Sequence, residues 1–126
     1  MEANFTINGI EFKITPSTIS IETTLNDFIR KHAKLTGTKF MCLEGGCGAC
    51  IVMLKGVHPV TKQNTSWAVK NSCLQNIYSC HGLDIITVEG IGSKKDGMHK
   101  IQKRLADFNG TQCGFCTPGM VMNMFH

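Results

Sequence analysis

The sequence is short of charge and has no long apolar run. Asp, Glu, Lys and Arg together make up 17% of its 126 residues. The apolar stretch Ile51-Val52-Met53-Leu54 is far too short to cross a bilayer, which needs about 20 such residues. No membrane partner is therefore expected. The 13 basic residues are scattered, with Arg30-Lys31, Lys94-Lys95 and Lys103-Arg104 as adjacent pairs, and the net charge is only +4. A nucleic-acid binder would more often carry a basic stripe or block, so no nucleic-acid partner is expected. The opening Met1-Glu2-Ala3-Asn4 has neither a basic flank nor a long apolar stretch, which predicts no secretory leader and a reducing, cytoplasmic setting. Asn4, Asn64 and Asn109 stand in glycosylation sequons that this setting makes chance matches. The histidines at 32, 58, 81, 99 and 126 form no pair at helical spacing. There is no internal repeat and no low-complexity segment.

What is there is a globular composition, 42% hydrophobic, on a chain too short for a thick core. Phe5 to Ile14 alternates apolar and polar residues around Asn8-Gly9, which predicts a hairpin with a type I′ turn. Thr23 to His32 predicts a helix: Thr24 and Asp27 resemble a capping box, and Leu25, Phe28, Ile29 and Ala33 share a face. Gly37 is expected where the chain turns after it. Ile51–Leu54 and Leu83–Val88 predict strands, Ala68–Leu74 leads into a cysteine, and Lys55 to Ser66 predicts a loop or exposed hairpin tip around Pro59. These outline a small mixed sheet crossed by one helix. After Gly90-Ile91-Gly92 the pattern becomes helical. Met98, Ile101, Leu105 and Phe108 recur at helical spacing, and Thr117-Pro118 predicts a helix start with Met120, Val121, Met124 and Phe125 as its apolar positions.

Seven cysteines dominate the chemistry. Cys42-x4-Cys47-x2-Cys50, with Cys73 downstream, has the plant-type [2Fe–2S] spacing. Two sulfide-bridged irons need four thiolates arriving from several directions, so a loop bearing three of them must wrap a small inorganic core. Gly45, Gly46 and Gly48 can take positive φ and let backbone N–H groups approach sulfur, stabilising its negative charge. Structural zinc sites more often use paired Cys-x2-4-Cys knuckles, and only one such pair occurs in the first half. Four thiolates on an oxidised diiron cluster would bring about −2, taking the loaded protein nearer neutrality. Cys113-Gly114-Phe115-Cys116 is ambiguous alone: half a zinc knuckle, a redox dithiol, or two ligands of another cluster. Its place before a predicted helix start favours thiolate. Cys80 has no cysteine neighbour at ligand spacing and reads as a buried free thiol.

The string from Gly37 to Val52 resembles the first cluster loop of the molybdenum hydroxylases, the xanthine dehydrogenases and aldehyde oxidases. Asn71-Ser72-Cys73-Leu74, Thr87-Val88-Glu89-Gly90-Ile91-Gly92 and Gln112-Cys113-Gly114-Phe115-Cys116-Thr117-Pro118-Gly119 resemble that family too, in its order and over essentially the whole chain. Thr24 to Arg30 and Phe40-Met41-Cys42 look closer to aldehyde oxidases, insect ones in particular. The resemblance implies an α+β architecture. Residues 1–90 would form a β-grasp ferredoxin-like domain whose Cys42, Cys47, Cys50 and Cys73 hold one [2Fe–2S] cluster. Residues 91–126 would form part of a helical domain in which Cys113 and Cys116 are half of a second [2Fe–2S] site.

The family completes that second site with a downstream Cys-x-Cys pair not found in this sequence, so a truncated, N-terminal piece is expected, with the segment after Ser93 poorly buried. By resemblance, electrons pass one at a time from a molybdopterin centre through both clusters to FAD, in domains outside this sequence, within a homodimeric oxidoreductase. The sequence alone is expected to turn over no substrate and holds no catalytic residue. A free-standing ferredoxin-like carrier and a non-catalytic zinc-binding remnant are the alternatives.

Overall fold

The structure is a computed structural model, and it describes residues 1–57, 61–64 and 68–125. Pro59, His58, Ser66 and His126 lie outside the described residues. The hairpin forms as expected. Strands β1 (Ala3–Ile7) and β2 (Ile10–Ile14) pair antiparallel, with Ile7 opposite Ile10. Asn8 and Gly9 between them have φ of 53° and 82°, the two left-handed residues that a type I′ turn requires.

Three more strands complete a mixed sheet: β3 (Ile51–Lys55), β4 (Ala68–Asn71) and β5 (Asp84–Ile86), in the order β2-β1-β5-β3-β4. β5 runs parallel to β1 and antiparallel to β3, and β3 pairs antiparallel with β4. The last strand in sequence thus sits at the centre of the sheet. The predicted strand from Leu83 to Val88 is shorter than expected, because Val88 already opens the short helix α2 (Val88–Ile91).

The first helix packs on the sheet. It starts as α1 (Leu25–Asp27) and continues as a π-helical turn over Phe28–His32. Thr24 Oγ1 caps it by accepting from Asp27 N at 3.2 Å. The reciprocal half of the expected capping box is replaced: the Asp27 carboxylate faces Lys31 Nζ at 3.4 Å. Leu25, Phe28 and Ile29 are buried against Phe5, Ile7, Val52 and Ile85. The Phe28 ring meets Phe5 and Phe12 edge-on, each at 5.3 Å between centroids, a geometry that matches positive ring edges to negative faces. The chain leaves the helix through Lys34, at φ 60°, and not through Gly37. Gly37 serves a close approach instead: a Cβ there would lie 2.6 Å from Val88 Cγ1.

The C-terminal part carries α3 (Lys100–Asp107) and α4 (Thr117–Phe125). His99 caps α3, its Nδ1 accepting from Ile101 N at 3.2 Å while Gln102 Oε1 accepts from His99 N at 2.9 Å. α4 packs on β3. Its buried residues are Gly119, Val121 and Met122, whereas Met120 and Met124 are exposed. The expected apolar face is therefore corrected. Met122 is buried because the glycine one turn before it, Gly119, lets the backbone of α4 come down onto the cysteine loop. α3 meets the expectation of poor burial, with no buried residue and Phe108 74% exposed. α4 does not.

Candidate metal centre

The loop between the helix and β3 is held at its base by side chains that local pattern does not reveal. Arg30 Nη1 donates to Thr36 O at 3.0 Å and Thr38 O at 2.8 Å, and its guanidinium lies over the Phe40 ring. Asn26 is buried, and its Nδ2 donates to Lys39 O at 3.0 Å and Ser72 Oγ at 3.1 Å. Ser72 Oγ in turn donates to Cys50 O at 2.7 Å. One buried amide therefore ties the segment before Cys42 to the segment carrying Cys73, and through Ser72 to Cys50. The only signal of this in the sequence was a polar residue inside an otherwise apolar helical face.

Above this base the chain wraps tightly. Leu43, Gly45 and Gly48 take φ of 57°, 82° and 73°. Gly46, which could take positive φ, does not, and the non-glycine Leu43 does. Their turns aim backbone N–H groups inward. Cys42 Sγ accepts from Gly46 N at 3.2 Å and from Glu44 N and Cys47 N at 3.4 Å each. Cys47 Sγ accepts from Ala49 N at 3.4 Å. The donors from Glu44, Cys47 and Gly46 lower the Cys42 thiol from 9.0 to about 6. A nest of N–H groups around sulfur is what an anionic iron–sulfur centre requires.

The four thiols lie close enough to interact. Cys42 interacts with Cys47, Cys73 interacts with Cys50, and Cys42 also acts on Cys73. Cys50 and Cys73 are buried, and burial first, then the neighbouring Cys50 sulfur, raises the Cys73 thiol to about 11. The pairing of β3 with β4 makes this possible, since Ile51 stands opposite Asn71 and brings Cys50 beside Ser72-Cys73. Among the described residues, no three His, Cys, Asp or Glu side chains gather closely enough to hold a single ion. Four soft thiol donors around one loop suit two bridged irons by their chemistry, and the N–H nest fits the negative charge of such a centre.

The remaining cysteines separate by environment. Cys80 is fully buried, and burial pushes its thiol to about 12, as an inert structural cysteine. Cys113 and Cys116 are exposed. Gly114 between them turns at φ 86°, and Cys116 immediately precedes α4, its carbonyl accepting from Met120 N at 3.1 Å. Among the described histidines, His81 and His32 are engaged away from the cysteine loop: His81 Nδ1 accepts from Asn4 N, and His32 stacks on Phe28.

A mixed sheet grasping one helix, with a cysteine loop at one end, defines a ferredoxin-like iron–sulfur protein. The chain belongs to the family of 2Fe-2S iron-sulfur cluster binding domains, whose model matches residues 6–81, and a second model, a [2Fe-2S] binding domain, matches residues 87–126. It is 48% identical over 124 residues to aldehyde oxidase 1 of Bos taurus, covering 98% of this chain and 9% of that protein. It is 46% identical over 121 residues to probable aldehyde oxidase 4 of Oryza sativa subsp. japonica, covering 96% of this chain and 14% of that one. The chain thus spans roughly a tenth of the length of these curated relatives. Among solved structures, quinoline 2-oxidoreductase from Pseudomonas putida 86 superposes with a TM-score of 0.79 at 31% identity, over 97% of this chain and 66% of that one. Aldehyde oxidoreductase from Desulfovibrio gigas superposes with a TM-score of 0.78 at 33% identity, over 97% and 12%.

Proposed function

We propose that this chain is the iron–sulfur segment of an aldehyde-oxidase-like molybdenum hydroxylase and that it carries single electrons. The observation that carries the reading is the loop whose backbone N–H groups point at the Cys42 and Cys47 sulfurs, beside Cys50 and Cys73, which the β3–β4 register brings together. When bound there, a [2Fe–2S] cluster supplies a one-electron acceptor and donor whose charge changes by one without bond rearrangement. The protein's contribution is positional. Leu43, Gly45 and Gly48 hold the N–H groups on sulfur, Asn26 and Ser72 tie together the segments that carry the cysteines, and the buried Cys50–Cys73 side excludes water.

In this reading residues 1–90 are the first cluster domain, and residues 91–126 belong to a helical second one in which Cys113 and Cys116 supply two of four ligands. The other two ligands, a molybdopterin centre that oxidises substrate, and an FAD that receives the electrons lie in domains outside this sequence, in a cytoplasmic homodimer. The likeness to aldehyde oxidases across nearly the whole chain supports this placement. These 126 residues then have no substrate turnover by themselves. A second reading, a free-standing ferredoxin-like carrier, draws support from the first site's use of thiols from residues 42–73 alone.

Anaerobic reconstitution, iron and sulfide analysis and low-temperature EPR test the proposal. One [2Fe–2S] cluster per chain is expected, and it should be lost in Cys42→Ser, Cys47→Ser, Cys50→Ser and Cys73→Ser. Stoichiometric zinc with no diiron signal on reduction would overturn it.

A further inference from the structure

Asn71 closes β4 opposite Ile51, and its side chain reaches over the cysteine loop. Its Oδ1 accepts from the Cys50 thiol at 3.6 Å. The other end of the same carboxamide, Nδ2, lies 3.7 Å from where a Cβ on Gly45 would stand. Leu74 Cδ1 fills the space that such a Cβ would need, at 2.8 Å, so the loop and the Asn71 side chain meet at a glycine. Asn71 is half-buried and Cys50 is buried, so water does not readily substitute for this contact.

We infer that Asn71 tunes the reduction potential of the proposed cluster by donating a hydrogen bond to the Cys50 sulfur. The inference rests on the proposed assignment of Cys50 as a ligand. A ligating cysteine has lost its proton and can only accept. The carbonyl end of Asn71 facing that sulfur would set two partial negative charges together. Rotation about the last side-chain bond exchanges oxygen for NH2 with almost no change in shape, and the two ends are assigned by the hydrogen bonds they make. Asparagine therefore serves both states of Cys50, accepting from the thiol and donating to the thiolate. The N–H stabilises the reduced, more negative centre more than the oxidised one, which raises the potential. One electron enters on reduction, no bond is made or broken, and no proton is required.

Redox titration followed by EPR, on the reconstituted chain and on Asn71→Leu and Asn71→Asp, tests this. Both substitutions keep a side chain branched at Cγ and remove the donor, and Asn71→Asp is isosteric. Both are expected to load iron and sulfide as the parent does. Both should titrate at lower potential, with Asn71→Asp lowest because its carboxylate adds a negative charge beside sulfur. A potential unchanged in Asn71→Leu, in a fully loaded protein, overturns the inference and leaves the cluster assignment intact. Failure of Asn71→Leu to load while the parent loads also overturns it, since Asn71 would then hold the loop and not tune the centre. Failure of the parent to load any diiron cluster overturns the inference together with the assignment beneath it.

Discussion

Gly119, in the first turn of α4, lies directly against the carbonyl of Gly48 in the cysteine loop: a Cβ on Gly119 would stand 2.1 Å from Gly48 O and 3.2 Å from Ala49 Cα. Backbone meets backbone here, so neither side can give way by turning a side chain. The segment bearing Cys113 and Cys116 is thereby seated on the loop bearing Cys42, Cys47 and Cys50. Gly119→Ala should lift α4 off β3 and cost about 1–3 kcal/mol, as overpacking does. The expected readout is a lower unfolding midpoint in urea, with faster alkylation of Cys116 and retained cluster loading at the first site.

The metal-free chain should show a pH-dependent loop. The backbone donors of Glu44, Cys47 and Gly46 lower Cys42 from 9.0 to about 6. A group whose folded pKa is depressed contributes stability that is present above its unfolded value and is lost as pH falls through the folded one. The loop should therefore lose order as pH drops from about 9 to about 6, and iron loading should strengthen as pH rises over the same window, because ligation needs thiolate. Residue-resolved iodoacetamide labelling should give half-maximal rate at Cys42 near pH 6, against near 9 in urea.

Cys80 should behave as core. It is fully buried and its thiol is raised to about 12, so the native protein should leave it unlabelled at pH 8 while Cys113 and Cys116 react. Cys80→Ala should load a full cluster and cost about 1 kcal/mol, the usual size of a small core truncation. Loss of the cluster in that variant would show Cys80 to be a ligand.

Asn26→Ala should loosen the tie between the segment before Cys42 and the segment bearing Cys73. It removes the donor to Lys39 O and to Ser72 Oγ, which then keeps only its bond to Cys50 O. Leaving a largely buried acceptor without its donor costs about 1–3 kcal/mol. Faster cluster release to a chelator is expected, measured by the decay of visible absorbance. An unchanged release rate would show that the Asn26 bonds serve the helix alone.

The parts legible in the sequence are those fixed by near neighbours. Asn8-Gly9 dictates its own turn because only residues tolerant of positive φ close a two-residue hairpin. Thr24 caps its helix because the donor it satisfies lies three residues on. The spacing of Cys42, Cys47 and Cys50 names the chemistry, since a short loop must wrap whatever its thiols hold. Tertiary structure decided the rest. β5 entered the centre of the sheet through pairing with β1, at the far end of the cluster domain, which no local period encodes. Antiparallel pairing of β3 and β4 placed Cys73 against Cys50. Met122, not Met120 or Met124, became buried because the contact of Gly119 with Gly48 set the rotation of α4. Asn26 and Arg30 gained their partners only when the helix met the loop. Local steric preference and periodicity act within a few residues and are written in order along the chain, whereas register, close backbone approach and buried hydrogen bonds exist only after distant segments have packed.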